Sequence, residues 1–421
     1  MPDSIDRPAL PPSFRIEPDG RSFHLSPSDP AFFADPYPTY AALHAQAPVA
    51  FWHEAGCLAV ASHPLVERVL KSREFGRVLS EDGSGRAPKA EARDHLAHFD
   101  ALEEHSLLDL EAPAHTRLRS LLTRAFVSRR IEALAPTIEA VAHELIDGFD
   151  PHAPFDLVSA FAAPLPVAVI AGLIGVPREA TPDLLRWSHA MVAMYQMGRT
   201  QETERAADAA SREFRDFLLG VVAQKRAAPG DDLVSALLAA ETPSGRLTEA
   251  EIVSLVVLLL NAGHEATVHQ FGNAVAALGR AGLTLAEWAG DDAELEGLVE
   301  EALRFDTPLH LFRRVALKDT EIAGVPMARG TEVALLLAAA NRDPAVFPEP
   351  DRFDPTRARI PHVSFGAGVH FCIGAPLARL ELKLGFRALA QRCPNLVPVG
   401  APRFRDSYHF RGVEQLVVRA G

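Results

Sequence analysis

The spacing of apolar and polar residues changes along the chain. From about residue 113 to 305, apolar side chains recur every three to four positions, as in "HTRLRSLLTRAFV" and "IEALAPTIEAVAHELIDGF", which predicts amphipathic helices. After residue 306, "RRVALKDTEIAGVPMARGTEVALLL" alternates apolar residues with glycine turns, which predicts strands. "CLAVAS" and the end of "DPYPTYAALHAQAPVAFW" predict further strands near the N-terminus. We therefore predict a mainly α fold with a minor β-region built from both ends of the chain.

One helix should be much longer than the rest. "LTEAEIVSLVVLLLNAGHEATVHQFGNAVAALGRAG" opens with a capping box, Thr248 with Glu251, and its middle is apolar on every side. This predicts a long helix through the core. Its apolar run from Ile252 is too short to span a bilayer and is followed by His264 and Glu265, so no membrane segment is predicted.

The chain shows no internal repeat and no low-complexity linker. Residues 1–20 are proline-rich, and we expect them to be loosely ordered, followed by a single domain over 21–421. The polar stretch 76–106 has glycines near its start and predicts a long, mobile connection of the kind that often forms a lid.

Composition and charge argue against some classes of function. The 421 residues are 48% hydrophobic and 23% charged, with a net charge of −13, which is typical of a soluble protein and argues against nonspecific nucleic-acid binding. The N-terminus lacks the pattern of a signal peptide. The three cysteines, Cys57, Cys372 and Cys393, form no readable disulfide framework or four-cysteine metal site, which favours a cytoplasmic location.

The segment "FGAGVHFCIGAPLAR" places Cys372 in a loop rich in glycine. A buried cysteine acting as a small hydrophobic residue is one interpretation, and a nucleophile with His370 as base is another. Pro376 suits the first turn of a helix, so Cys372 should lie just before a helix N-terminus, where free N–H groups lower the pKa of a thiol. A single thiolate in such a loop suits an iron whose other ligands come from a macrocycle.

The same loop resembles the haem-binding signature of the cytochromes P-450. The residues that match are Phe365, Gly368, Cys372 and Gly374. The resemblance implies haem b (iron protoporphyrin IX) bound between the long central helix and the cysteine loop, with Cys372 as the axial iron ligand.

Other segments match the family in the expected order. "EALR" resembles the Glu-x-x-Arg motif at Glu301 and Arg304, a structural pair that in the family is buried and pins a loop matched here by Phe353 and Arg357. The resemblance implies contacts with the haem propionates from four further residues: His115, Arg119, Arg314 and His370.

"AGHEAT" resembles the oxygen-binding motif of the family. Ala262 and Gly263 leave room above the iron, and Glu265 matches the acid. Position 266 is alanine where the family usually has an alcohol, and Thr267 comes one residue late, about 100° around the helix. We predict that the Thr267 hydroxyl bonds to the Gly263 carbonyl. Because the usual alcohol helps to deliver protons during dioxygen activation, these must come from a substrate hydroxyl, ordered water or Glu265.

The substrate pocket is expected to be apolar and adaptable, with two histidines as polar anchors. Its predicted walls include Met191, Met194, Leu309, His310, Phe312, His409 and Phe410.

No nucleotide-binding fingerprint or reductase domain is present, so the electrons should come from a separate ferredoxin or flavodoxin with its reductase. The basic residues expected on the docking face are Arg117, Arg124, Arg129, Arg130, Arg379 and Lys383. The resemblance implies a monooxygenase that inserts one oxygen atom of dioxygen into an apolar small organic molecule. A peroxide-driven haem-thiolate oxidase and a non-catalytic haem sensor or carrier are the alternatives.

Overall fold

The computed structural model describes residues 10–88, 93–196, 199–243 and 245–420. The α-helices are α1 Pro30–Ala34, α2 Tyr37–Gln46, α3 His63–Lys71, α4 Ala97–Glu103, α5 Ala114–Ala125, α6 Ser128–Glu132, α7 Ala135–Asp147, α8 Pro164–Ile174, α9 Thr181–Val192, α10 Gln201–Ala227, α11 Leu233–Ala239, α12 Glu249–Ala281, α13 Asp292–Phe305, α14 Leu337–Ala340 and α15 Ala375–Arg392. The strands are β1 Arg15–Ile16, β2 Ser22–His24, β3 Val49–Trp52, β4 Cys57–Val60, β5 Phe75–Gly76, β6 Phe155–Asp156, β7 Glu241–Thr242, β8 Gly245–Arg246, β9 Leu311–Ala316, β10 Thr320–Ile322, β11 Val325–Met327, β12 Glu332–Leu336, β13 Val397–Pro398, β14 Arg403–Phe404, β15 Val413–Gln415 and β16 Val417–Arg419. The mainly α architecture predicted from the sequence is confirmed.

The main sheet joins the two ends of the chain, as predicted. Its strand order is β1-β2-β3-β4-β12-β9-β5. At its centre, β4 and β12 pair in parallel, with Leu58 opposite Val333, and β12 pairs with β9 antiparallel, with Leu335 opposite Phe312. A smaller sheet, β13-β16-β6, packs strands from the C-terminus against the middle of the chain.

Helix α12 passes through the largest apolar core and is capped as predicted. Thr248 accepts from the Glu251 N–H at 3.2 Å, and the Glu251 carboxylate accepts from the Thr248 N–H at 2.9 Å. Among the described residues α12 is the one helix long and apolar enough to cross a membrane, yet 83% of its apolar window is buried within the protein, as in a core helix.

The structure differs from the predictions in two segments. Residues 15–16 of the expected loose segment form β1, which pairs with β2 because Phe14 packs on Phe23 beside the sheet; residues 1–9 lie outside the described residues. The stretch 76–106, expected to be an open connection, includes helix α4, whose Phe99 and Leu102 are buried in the main core. Residues 89–92 of that stretch lie outside the described residues.

Candidate functional site

A cavity of about 530 Å³ lies between α12 and the loop that precedes α15. Ala262 and Gly263 of α12 line it, and so do Phe365, Cys372 and Gly374 of the loop. Segments separated by more than 100 residues in the sequence are therefore brought to one site.

Glycine makes the tight path of the cysteine loop possible. Gly366 and Gly368 have φ values of 67° and 72°, in the left-handed region that favours glycine. A β-carbon at Gly368 would lie 2.4 Å from the carbonyl oxygen of Leu70, so a side chain would push the loop off the end of α3. The Cys372 N–H donates to the Phe365 carbonyl at 3.0 Å, which closes the loop.

Cys372 precedes α15, whose second residue is Pro376, as the sequence indicated. The pKa of its thiol is nevertheless raised, because burial outweighs the opposing effects of the Gly374 and Ala375 N–H groups and the Arg119 guanidinium. The expected lowering of the pKa by the helix N-terminus alone is therefore not found. The N–H groups and the guanidinium that would stabilise a thiolate surround the sulfur. Binding of a metal ion to the sulfur would displace the thiol proton.

Two cationic side chains face the cavity without an acidic partner. Arg314 is 4% exposed, and burial together with nearby Arg77 lowers its pKa to about 9. Arg119 donates to the Phe371 carbonyl at 2.7 Å. Within the described ranges no carboxylate lies within ion-pair distance of Arg119 or Arg314. The buried guanidinium of Arg314 and the half-buried one of Arg119 call for an anionic ligand.

The two predicted histidines of this group lie side by side. The rings of His115 and His370 are 4.3 Å apart, and both line the cavity. Burial, with His370 and Arg119 nearby, lowers the pKa of His115 to about 4. His370 is held by the Glu111 carboxylate at 2.9 Å. All four residues predicted to contact the propionates therefore line the cavity, and His370 is already paired with Glu111.

On the opposite wall, α12 presents small residues to the cavity. Ala262, Gly263, Ala266 and Thr267 all line it. The Thr267 hydroxyl donates to the Gly263 carbonyl at 3.0 Å, as predicted. A β-carbon at Gly263 would lie 2.5 Å from the Ile170 side chain, so this glycine also lets α8 approach α12.

Glu265 does not line this cavity, although the sequence placed it with the catalytic residues. It is 4% exposed and contacts three histidines and Arg405. Burial alone would raise the pKa of Glu265, but the hydrogen bond from His269 and the charge of Arg405 hold this pKa well below its ordinary value. Helical geometry explains the difference, because Glu265 lies about 100° around α12 from Ala266.

Glu301 and Arg304 form a fully buried pair, both 0% exposed. Arg304 donates from Nε and Nη2 to the two carboxylate oxygens at 2.7 and 2.6 Å. Glu301 also accepts from the Asp354 N–H at 2.8 Å and from Arg357 Nε at 3.3 Å. Phe353 packs edge-on against Phe305. The pair therefore ties α13 to the loop over residues 348–357, which leads towards the cysteine loop.

Five of the seven predicted pocket residues line the cavity: Met194, Leu309, Phe312, His409 and Phe410. Two do not. His310 is turned into the core, because its ring packs among those of Tyr37, Tyr40 and Tyr408 and its Nδ1 lies 2.8 Å from the Tyr40 hydroxyl. Met191 is fully buried, with its sulfur 3.7 Å from Asn261 Nδ2.

Sequence reasoning missed several polar residues that line the cavity. Asn261 and Gln270 are buried, and each has a side-chain oxygen without a hydrogen-bond partner among the described residues. Glu381 has no partner for either oxygen, and burial raises its pKa well above the ordinary value. Helical spacing contained the signal, since Gln270 follows Ala266 by four residues and Glu381 follows Leu377 by four.

The expected basic docking face is largely occupied by internal partners. Arg379 binds Glu300 through two hydrogen bonds, of 2.6 and 2.9 Å, and Lys383 binds Glu296 at 2.7 Å. Arg117 binds Glu251. Of the other three expected residues, Arg124 and Arg129 are exposed, and Arg124 donates to the Glu241 carbonyl. Arg130 is only 24% exposed, donates to the Ala125 carbonyl and lies 3.5 Å from Asp231.

Comparison with known proteins points to one family. The family model described as "Cytochrome P450" matches residues 295–408. The cytochrome P450 monooxygenase PikC of Streptomyces venezuelae is 35% identical over 404 residues, which cover 92% of each chain. The 6-deoxyerythronolide B hydroxylase of Saccharopolyspora erythraea is 39% identical over 315 residues, 73% of this chain and 76% of that one. A solved structure of P450BioI with an acyl carrier protein ligated to hexadec-9Z-enoic acid has a TM-score of 0.84 at 33% identity and covers 92% of this chain and 99% of that chain.

Proposed function

The chain belongs to the bacterial cytochrome P450 family of monooxygenases, which are oxidoreductases, and we propose that it inserts one oxygen atom of dioxygen into an apolar small organic molecule. The observation that carries this proposal is the position of the Cys372 sulfur, which opens into a cavity whose opposite wall is the small-residue face of α12. The apolar residues Met194, Leu309, Phe312 and Phe410 support an apolar substrate. The unpartnered oxygens of Asn261 and Gln270 favour one with a hydroxyl or amide donor.

The residues present fit haem b. Cys372 would bind the iron, and Arg119, Arg314 and His115 would bind the two propionates, which would supply the anionic partner that the two guanidinium groups lack. A haem with a thiolate ligand supplies the redox chemistry that activates dioxygen. Gly374 lines the cavity, so the loop backbone can lie close to a flat ligand there, while Gly366 and Gly368 permit the tight turns of the loop.

The side chains of this protein restrict how protons reach the cavity. The Thr267 hydroxyl proton is engaged by the Gly263 carbonyl, and Ala266 offers no proton. Glu265 is ionised and held outside the cavity by Arg405 and His269. We propose that a substrate hydroxyl or ordered water beside Ala266 donates the proton, while Glu265 relays protons from solvent only when it leaves these partners.

Electrons would come from a ferredoxin or flavodoxin with its reductase. Helix α6, which packs against α15, carries the exposed Arg129, and the exposed Arg124 lies at the end of α5. These residues, rather than the ion-paired Arg379 and Lys383, are the proposed attraction for an acidic partner. A cytoplasmic location would supply such a partner.

The test uses the haem-loaded protein with a ferredoxin, its reductase and ¹⁸O₂. A substrate is first identified by the optical shift from low to high spin. We expect one ¹⁸O atom per product molecule and product in proportion to the electrons consumed. Because Ala266 replaces the usual alcohol, a peroxide-driven oxidase is the second candidate, and product formed with hydrogen peroxide but not with ferredoxin and ¹⁸O₂ would establish it instead.

A further inference from the structure

A cluster outside the cavity joins α9 to α12. It consists of His189 on α9 with His264 and Glu265 on α12, and one ligand atom from each lies within 4.8 Å of the others. His264 is fully buried and Glu265 nearly so, while the His189 side chain is 56% exposed and leaves one side open to solvent.

The protonation of His264 can be assigned from its neighbours. Its Nδ1 lies 3.0 Å from the Leu260 carbonyl oxygen, which can only accept a hydrogen bond, so Nδ1 carries the proton. Nε2 then carries a lone pair. This atom is buried and has no hydrogen-bond partner among the described residues, and it lies 3.5 Å from Glu265 Oε2.

The two carboxylate oxygens of Glu265 have different surroundings. Glu265 Oε1 is contacted by Arg405 and by His269 Nε2 at 3.3 Å. Oε2 receives no hydrogen bond from the described residues and faces His264 Nε2 at 3.5 Å and His189 Nε2 at 3.7 Å. A buried carboxylate oxygen and an imidazole lone pair repel each other unless a cation lies between them.

We propose that His189, His264 and Glu265 bind one divalent transition-metal ion of the Zn²⁺ class, with a water molecule in the fourth position. In a tetrahedral zinc site, metal–ligand distances near 2.1 Å put the ligands about 3.4 Å apart. The distances from Glu265 Oε2 to Nε2 of His264 and of His189, 3.5 and 3.7 Å, are already close to this value. Imidazole nitrogens select zinc, copper or nickel over magnesium or calcium.

The surroundings match those of known metal ligands. A histidine ligand usually donates its other ring N–H to a carbonyl or carboxylate, as His264 does to Leu260. Arg405 and His269 orient the carboxylate through its other oxygen. Arg405 also weakens the attraction for a cation, so neutral nitrogen ligands must supply much of the affinity. The ion would cross-link α9 to α12 and hold Glu265 outside the cavity.

The test is a Zn²⁺ titration of the tag-free, haem-loaded protein after dialysis against a chelator, followed by calorimetry and by metal counting after gel filtration. We expect one saturable Zn²⁺ site, a higher thermal unfolding midpoint with Zn²⁺, and neither effect with Mg²⁺. His189→Ala changes an exposed side chain and should fold normally. It should weaken binding by more than the roughly 10–100-fold that follows loss of an outer-shell partner. His264→Gln should do the same where it folds.

His95→Ala is the matched control. His95 faces Glu204 at 2.8 Å, and Arg199 contacts the same carboxylate, so this group has the same residue types but no second histidine. The control should bind Zn²⁺ as the parent does. No saturable site in the parent, or equal binding by His189→Ala and the parent, would overturn the proposal.

Discussion

Replacing Glu301 by alanine removes the acceptor at the centre of a buried network. Its two carboxylate oxygens accept two hydrogen bonds from Arg304, one from the Asp354 N–H and one from Arg357. In Glu301→Ala, Arg304 keeps its bonds to the carbonyls of Asn341, Pro350 and Arg352 but loses its only counter-charge partner among the described residues.

The cost can be worked from this geometry. Both side chains are 0% exposed, so the guanidinium charge stays in the interior with no compensating carboxylate. Breaking one half of such a pair typically costs about 3–5 kcal/mol. That is a large part of the roughly 5–15 kcal/mol by which a domain is stable. With a urea dependence of about 3 kcal/mol per molar, the unfolding midpoint should fall by about 1–2 M.

The assay combines urea unfolding, followed by far-ultraviolet circular dichroism, with the haem content of the purified protein. The midpoint is compared rather than an extrapolated free energy, because a bound cofactor can break two-state behaviour. We expect Glu301→Ala to have the lower midpoint and to lose haem. The midpoint of Glu301→Gln should lie between those of the parent and of Glu301→Ala, because its amide retains one acceptor oxygen but turns an N–H towards Arg304.

Asp183→Ala is the matched control for this prediction. Asp183 and Arg186 form an acid–arginine pair with the same three-residue spacing on a helix, but their side chains are 57% and 54% exposed. Exposed pairs contribute little, so this midpoint should stay close to that of the parent. A Glu301→Ala protein with the parental midpoint and haem content but no turnover would refute the structural role and point to a catalytic one.

Four further predictions concern the site and its surface. Cys372→Ser should abolish the red-shifted absorption of the reduced carbon-monoxide complex that is typical of thiolate haem; retention of that spectrum would show that another residue is the ligand. Ala266→Thr should not raise the product formed per electron consumed, because a new hydroxyl would crowd the small-residue wall of the cavity, and a marked rise would contradict the proposed proton route. Arg129→Glu should slow reduction by ferredoxin, most strongly at low ionic strength, because salt screens surface charge, whereas Arg205→Glu, at an exposed position of α10, should leave it unchanged; equal rates for both would place the docking face elsewhere. Burial raises the pKa of Glu381 above its ordinary value of 4.5, so the contribution of this group to stability falls as pH rises above that value. Relative to the parent, Glu381→Gln should therefore unfold at a higher midpoint by a margin that grows from pH 4 to 7; a constant margin would show that the carboxyl titrates normally.

The sequence alone determined the features that depend on local spacing. Helical periodicity and the Thr248–Glu251 capping box fixed the long helix, and the three-residue spacing of Glu301 and Arg304 put them on one helix face. Thr267 could be assigned to the Gly263 carbonyl because that acceptor lies four residues earlier on the same helix. Each of these contacts joins residues close in the chain.

Only the tertiary structure decided what lies opposite each side chain. Glu265 has the expected position in its motif, yet contacts from α9 and from Arg405, 140 residues away, hold it outside the cavity. The positive residues near α15 are present in the sequence, but their neutralisation by Glu300 and Glu296 required the packing of α13 against α15. Charge and burial depend on neighbours brought together by folding, and one-dimensional spacing does not specify those neighbours.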